Sequence, residues 1–324
     1  MTSTVDRPRL QPAPDALLGA VLKHTKNWEA ALRNRRTVPN LIYHYCDANA
    51  LLGIFHSNSV WATGARYLND KTELVSLMRN VPEHLKRFPD TPATLVLRER
   101  AGTLVKMHAE IISHAIGMEQ FVACFSADGD VLSQWCAYGD DGRGFAIGFA
   151  PSELAVLQGE AILNGDIREM MYGPEGERDL VDSLIKGLIE TVEPFVDILD
   201  TTGWEPDPEG AAPLTARQWL GLRFSECLGE LTFESKHASF REEREWRLYA
   251  QKGQVQFRAA PRGIVPYRQV DMRAATSKLM PIKRIIMGPR LDYLDTTRVL
   301  MYLADEHGYG HSAIDLDHSK CPYR

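Results

Sequence analysis

The chain has 324 residues, with 37 Lys+Arg against 43 Asp+Glu and 44% hydrophobic residues. A charged fraction of 25% beside that apolar content excludes a wholly disordered or low-complexity protein. The net charge of -6 argues against a protein that coats nucleic acid through its overall field, while leaving room for a local basic groove.

No uninterrupted apolar run is long enough to span a bilayer, so a membrane protein is not expected. The opening MTSTVDRPRLQPAPDALL has three prolines and no apolar core. It reads as a flexible leader over residues 1–14 rather than a secretory signal. From about residue 15 to 324 the chain reads as a single domain. Cys46, Cys124, Cys136, Cys227 and Cys321 are odd in number and scattered without a CxxC pair. They suggest neither a zinc site nor a disulfide framework, and fit a reducing cytoplasm.

In chain order, Ala16 to Arg35 has the periodicity of an amphipathic helix, with Leu17, Leu18, Val21, Leu22 and Trp28 on its apolar side. Leu41 to Tyr45 reads as a strand. Asp47 then reads as the N-cap of a helix ending near His56. Val60 to Thr63 is a short strand, and Tyr67-Leu68-Asn69-Asp70 a turn. Helices are expected over Thr72 to Phe88 and Thr91 to Ile116, a buried strand over Phe121 to Phe125, and a helix over Val131 to Tyr138. Gly144 to Phe149 follows as a strand.

A helical insertion is expected at about residues 175–236, interrupted by the proline-rich loop Thr201 to Pro213. Later strands are expected at Phe240 to Tyr249, Ile264 to Met272, Arg284 to Gly288 and Ala313 to Leu316, with a helix near Leu294 to His307. Short strands scattered between helices indicate an α+β fold with a mixed or antiparallel central sheet.

Three clusters could carry chemistry. In Tyr43-His44-Tyr45, an imidazole between aromatics can face a cleft and donate to a ribose hydroxyl, or can be a core-edge histidine satisfied by a backbone carbonyl. Arg66 beside Asn69-Asp70 can meet phosphate with its planar fork, although Asn69-Asp70 equally suits ordinary turn chemistry. In Phe240 to Arg247, a strand would put Glu243 and Glu245 on one face and Arg244 and Trp246 on the other. Paired carboxylates suit general-base work or the stabilisation of developing positive charge. A salt-bridged surface strand is the plainer alternative. Gly139-Asp140-Asp141-Gly142-Arg143-Gly144 matches neither a P-loop nor a dinucleotide-binding turn and reads as a tight connection. A metal-dependent nuclease built on Asp140, Asp141, Glu243 and Glu245 ranks low, because no lysine or histidine accompanies those acids at a familiar spacing.

An ordered set of landmarks extends from about residue 41 to the last residue: LIYHYCDANALLGIF, VWATGARYLND, FVACFS, LSQWCAYGDDGRGFAIGF, SFREEREWRLY, IVPY and SKCPYR. Together they resemble the bacterial domain-of-unknown-function family 2971. The YHY strand, helix and short strand also resemble, more remotely, the start of the ADP-ribosyltransferase fold, DNA-targeting toxin type. That resemblance implies a split, mostly antiparallel sheet with flanking helices and a bent NAD as co-substrate, with no metal. Under it, His44 and Tyr43 belong to the NAD site, Tyr45 or Tyr67 stacks on nicotinamide, and Asn69 and Ser126 complete the contacts. Glu243 or Glu245 bonds the ribose 2′-hydroxyl, and Arg66 contacts the diphosphate or polarises the acceptor. The Ser-Thr-Ser strand of arginine-specific relatives is absent, only Ser126 following FVACF.

The implied function is an NAD-consuming ADP-ribosyltransferase or NAD glycohydrolase acting on an intracellular nucleic acid or protein, as a toxin or phage-defence effector. The alternative is a non-catalytic nucleotide- or partner-binding sensor module on a degenerate enzyme fold.

Overall fold

A computed structural model describes residues 14–34, 37–68, 76–114, 120–157, 166–200, 215–250, 252–260, 263–310 and 312–323. The chain divides into two compact units, each assembled from three segments. The first comprises 1–35, 74–114 and 173–235, the second 36–73, 115–172 and 236–324. The stretch expected as a helical insertion is thus one of three that build the first unit. The expected leader, up to residue 13, and the proline-rich loop at 201–213 lie outside the described residues.

The first unit is helical. It contains α1 (Pro14–Asn34), α3 (Ser76–Leu85), α4 (Pro92–His114), α6 (Gly173–Val192) and α7 (Ala216–Thr232), α2 and α5 belonging to the second unit. Leu17, Val21, Thr25, Trp28 and Leu32 of α1 recur every three or four residues and are buried. The Trp28 indole donates to the Leu180 carbonyl of α6 at 3.1 Å. On α6, Leu180, Val181, Leu184, Ile185, Leu188, Ile189 and Val192 form the complementary buried stripe. Thr215 opens α7 with a reciprocal capping box to Gln218, satisfying two otherwise orphaned backbone donors. No helix among the described residues is long and apolar enough to cross a membrane.

The second unit is a mostly antiparallel sheet with flanking helices. Its strands are β1 (Ile42–Cys46), β2 (Ser59–Gly64), β3 (Phe121–Ser126), β4 (Phe145–Phe149), β5 (Asp166–Glu169), β8 (Glu245–Tyr249), β9 (Gln256–Ala260), β10 (Gly263–Asp271), β11 (Ile282–Met287) and β12 (Asp315–His318). Two two-residue strands, β6 (Met171–Tyr172) and β7 (Ser235–Lys236), stand outside it. The helices are α2 (Ala48–Ser57), α5 (Leu132–Tyr138) and α8 (Tyr293–Glu306). Alternating residues bury Ile42 and Cys46 with Phe125, Phe149 and Leu51 on one side, and Tyr43 and Tyr45 with Trp135 and Ile286 on the other.

The sheet divides at β3. Along one edge β8 pairs from Val122 to Ser126. Otherwise β3 meets β1 at Tyr43↔Ser126 alone, and β2 at Thr63↔Val122 and Gly64↔Phe121. From β1 the order continues through β4 and β11 to β12, and from β2 through β10 to β9. Only β11 and β12 are parallel among the paired strands of this sheet.

Two landmarks of the sequence have structural explanations here. Asp130 accepts the Trp135 indole at 2.8 Å, the Ser319 hydroxyl and, at 2.7 Å, the Lys320 amide. Asp141 accepts the Tyr323 hydroxyl and the Arg290 guanidinium. Ser319, Lys320 and Tyr323 therefore latch the end of the described chain onto Asp130 and Asp141. The glycine-bearing loop is a tight connection as expected: a Cβ at Gly144 would stand 2.2 Å from the Cys46 carbonyl, so only glycine fits.

Candidate functional site

The second unit encloses a cavity of about 650 Å³ beside the divide in the sheet. Its lining draws on β1, α2, β2, β3, α5, β9, β10, Lys236 of β7, and β8 with the turn leading into it.

His44 borders this cavity, and its position explains itself locally. Between β1 and β2 the backbone of β3 lacks a strand partner around Cys124. The His44 ring fills that gap, Nδ1 lying 3.0 Å from the Cys124 carbonyl. A carbonyl can only accept, so Nδ1 carries the proton and Nε2 of the neutral ring is an acceptor. Burial pushes the His44 pKa down, which keeps the ring neutral. His44 is thus satisfied by a carbonyl and borders a cleft, and the expected donation to a ribose hydroxyl is corrected: the one ring proton is spent on Cys124, so the neutral ring can only accept there.

Its neighbours on β1 are a correction. Tyr43 and Tyr45 touch the cavity, but alternation sends their rings to the opposite face. The Tyr43 ring lies against Gly129 and Gly148, where a Cβ would come within 2.5 Å and 2.9 Å of it respectively. The Tyr45 ring packs edge-on against Trp135 at 4.9 Å, and its hydroxyl donates to the Asp128 carbonyl while accepting from the Val131 amide. Neither ring is available to stack on a ligand in the cavity. Exposed aromatic surface comes from Tyr67 and, unforeseen in the sequence, Trp61 and Tyr138.

The expected strand over Phe240 to Tyr249 is also corrected. Ala238–Glu243 forms a 3-10 turn, and the strand begins only at Glu245. Arg244 joins them in the left-handed region, with φ 44°. That conformation is costly for a residue with a Cβ. It changes the relation of the two glutamates from strand alternation to convergence: both meet Lys236. Lys236 Nζ donates to Glu245 Oε2 at 2.8 Å and to Glu243 Oε2. Arg247, which is 2% exposed, donates from Nε to Glu245 Oε1 at 2.8 Å and from Nη2 to Oε2 at 3.2 Å.

The two carboxylates differ electrostatically. Burial opposes charge on Glu245, but Arg247 and Lys236 outweigh it and hold the pKa at about 2. Burial dominates at Glu243 and raises its pKa despite Lys236. Burial likewise opposes the charge on Lys236, and Glu245 and Glu243 reverse that and push its pKa up. Glu245 is thus ionised at neutral pH, with both oxygens engaged by cations. Glu243 keeps one carboxylate oxygen, Oε1, without a partner among the described residues.

Ser126 borders the cavity and holds the Glu243 backbone, donating to its carbonyl at 2.7 Å and accepting from the Asp128 amide at 3.1 Å. Arg66 is not brought to the cavity, although Tyr67 on the same 3-10 turn is. Asn69 lies outside the described residues. Asp140 and Asp141 do not line the cavity, so the four acids of the nuclease reading are not gathered together. The cations that do line it are Lys236, Arg247 and Arg258.

Fold and site together define a mixed α+β protein whose mostly antiparallel sheet carries a charged, aromatic-rimmed cavity. Residues 134–248, roughly a third of the chain, match the model of a family described as a protein of unknown function (DUF2971). No curated protein and no solved structure matches the chain.

Proposed function

We propose that the cavity binds NAD and cleaves its nicotinamide–ribose bond, passing ADP-ribose to water or to a nucleophile on a macromolecule. The observation that carries this reading is the convergence of His44 and the Glu243–Glu245 pair, 199 residues apart at their nearest, on one cavity. Its volume lies within the roughly 300–1,000 Å³ usual for small-molecule and cofactor sites. The division of the sheet at β3 supports the remoter ADP-ribosyltransferase likeness.

The chemistry suits the groups present. As the C1′–N bond breaks, its electron pair leaves with nicotinamide, which departs neutral, and positive charge develops on the ribose. Glu243 Oε1 accepts the ribose 2′-hydroxyl and offsets that charge more in the transition state than in the ground state. His44 Nε2 accepts a hydroxyl of the same nucleotide. Glu245 holds Lys236 and Arg247 in place without touching substrate. The acceptor then bonds to C1′ and gives up its proton, for which the Glu243 carboxylate is the nearest base.

Incubation of the purified protein with NAD should release nicotinamide, and Glu243→Gln should slow release by on the order of 10²–10³-fold. Equal release by wild type and variant would overturn the assignment. If wild type releases none yet NAD raises its melting temperature, the cavity is a binding module instead.

A further inference from the structure

We infer that Arg258 makes the β9 side of this cavity an anion site, built for the phosphoryl groups of a nucleotide. Two of the three lining cations, Lys236 and Arg247, are balanced within their own cluster by Glu243 and Glu245. Arg258 has no such balance. It forms no ion pair among the described residues, and its buried Nε lacks a hydrogen-bond acceptor. The remaining acid of the lining, Asp47, spends its carboxylate on the Ala50 amide as the N-cap of α2, at 2.7 Å.

Arg258 is nonetheless held in position. On β9 it pairs opposite Val265 of β10, and its side chain reaches β2, where Nη2 donates to Thr63 Oγ at 3.0 Å. Its guanidinium carbon sits 5.4 Å from the centre of the Trp61 ring, which itself packs 4.5 Å from Tyr267. Its charge also helps to keep His44 neutral. A guanidinium fixed by a hydroxyl and an indole, bordering a cavity with no carboxylate to balance it, matches the oxygens of a phosphate in a way an ammonium cannot. The sequence reading gave this task to Arg66, which the fold places elsewhere.

This inference names the anion handle of the proposed NAD site, but it stands on Arg258 alone and its test is separate. Inorganic pyrophosphate titrated into the full chain and followed by calorimetry should bind wild type, with affinity falling about 10–100-fold in Arg258→Gln. Arg258→Lys, which keeps the charge but loses the fork, should fall between them. Circular dichroism of both variants guards against a folding defect, and should Arg258→Gln unfold, wild type against Arg258→Lys decides the matter. Wild type that does not bind pyrophosphate, or binding unchanged in the folded variants, would overturn the inference. Glu243→Gln should retain pyrophosphate binding while losing nicotinamide release, so failure of the catalytic reading and failure of the anion site are told apart.

Discussion

Each unit buries a carboxylate cluster, and the two are built differently. In the helical unit Glu177 is fully buried, accepting Asn80 Nδ2 at 3.0 Å and the Ser235 hydroxyl, one on each oxygen, with His84 Nε2 3.9 Å from Oε2. Beside it His84 meets Asp182 at 2.8 Å, and Arg87 closes the far side of that aspartate. Around Lys236 the donors are cations, and one acid, Glu243, is left half used at a cavity wall. At Glu177 both carboxylate oxygens are taken by hydrogen-bond donors, which fixes packing. At Glu243 one oxygen has bonding capacity left for a ligand. The difference between Glu177 and Glu243 is therefore a physical argument for where to look for activity.

The strongest way to break this comparison is Glu245→Ala. It removes the carboxylate that Arg247 and Lys236 share and should cost about 3–5 kcal/mol of unfolding free energy in urea denaturation. Replacing both Glu245 and Arg247 by methionine should recover much of that loss, because a buried pair removed whole costs far less than a pair broken. If the double substitution is no better than the single one, the cluster does more than neutralise itself.

Glu177→Ala should cost less, about 1–3 kcal/mol, since the donors it leaves stranded are uncharged. Nicotinamide release measured below its melting transition should persist. Loss of release in a folded Glu177→Ala protein would erase the distinction drawn between the two clusters.

Acid titration sharpens the comparison with the smallest signal. The folded-state pKa of Glu245 lies at about 2, below its ordinary value of 4.5. Its contribution to stability is thus present above pH 4.5 and is lost as the pH falls towards 2, because the unfolded chain takes up the proton first. Glu243, with its pKa raised, works the other way and offsets part of this. Unfolding followed across that range should show an acid limb that Glu245→Gln flattens. An unchanged limb would remove Glu245 as its source.

How much of this was legible in the sequence follows from the range of the forces involved. Asp47 could be identified as an N-cap because capping is settled within four residues, and its carboxylate does accept the Ala50 amide. The β3 strand FVACFS was legible because burial on both faces leaves a continuous apolar run. The convergence of Glu243 and Glu245 was legible only as proximity: the left-handed turn at Arg244 that aims them is not favoured by arginine, and nothing local announces it. Lys236 escaped notice because its partners are seven and nine residues away across that turn. Arg258 escaped because Gln256–Ala260 is an edge strand with alternating partial exposure, QFRAA, and too little apolar content to stand out. Arg66, which does not line the cavity, was preferred for standing beside a turn, a local feature with no bearing on which side chains reach a cavity wall.

The interleaving of the two units bears on how fragments of this chain should be used. Residues 134–248, the stretch matching the family model, carry β4 and β5 with α6 and α7, cut into α5 and β8, and leave out β1, β2 and β3. A recombinant piece cut to those limits would contain half of one core and part of another, with neither able to close. Excision at a single point releases no whole unit, so truncation mapping is unsuited to this chain, and point substitution is the instrument that fits it.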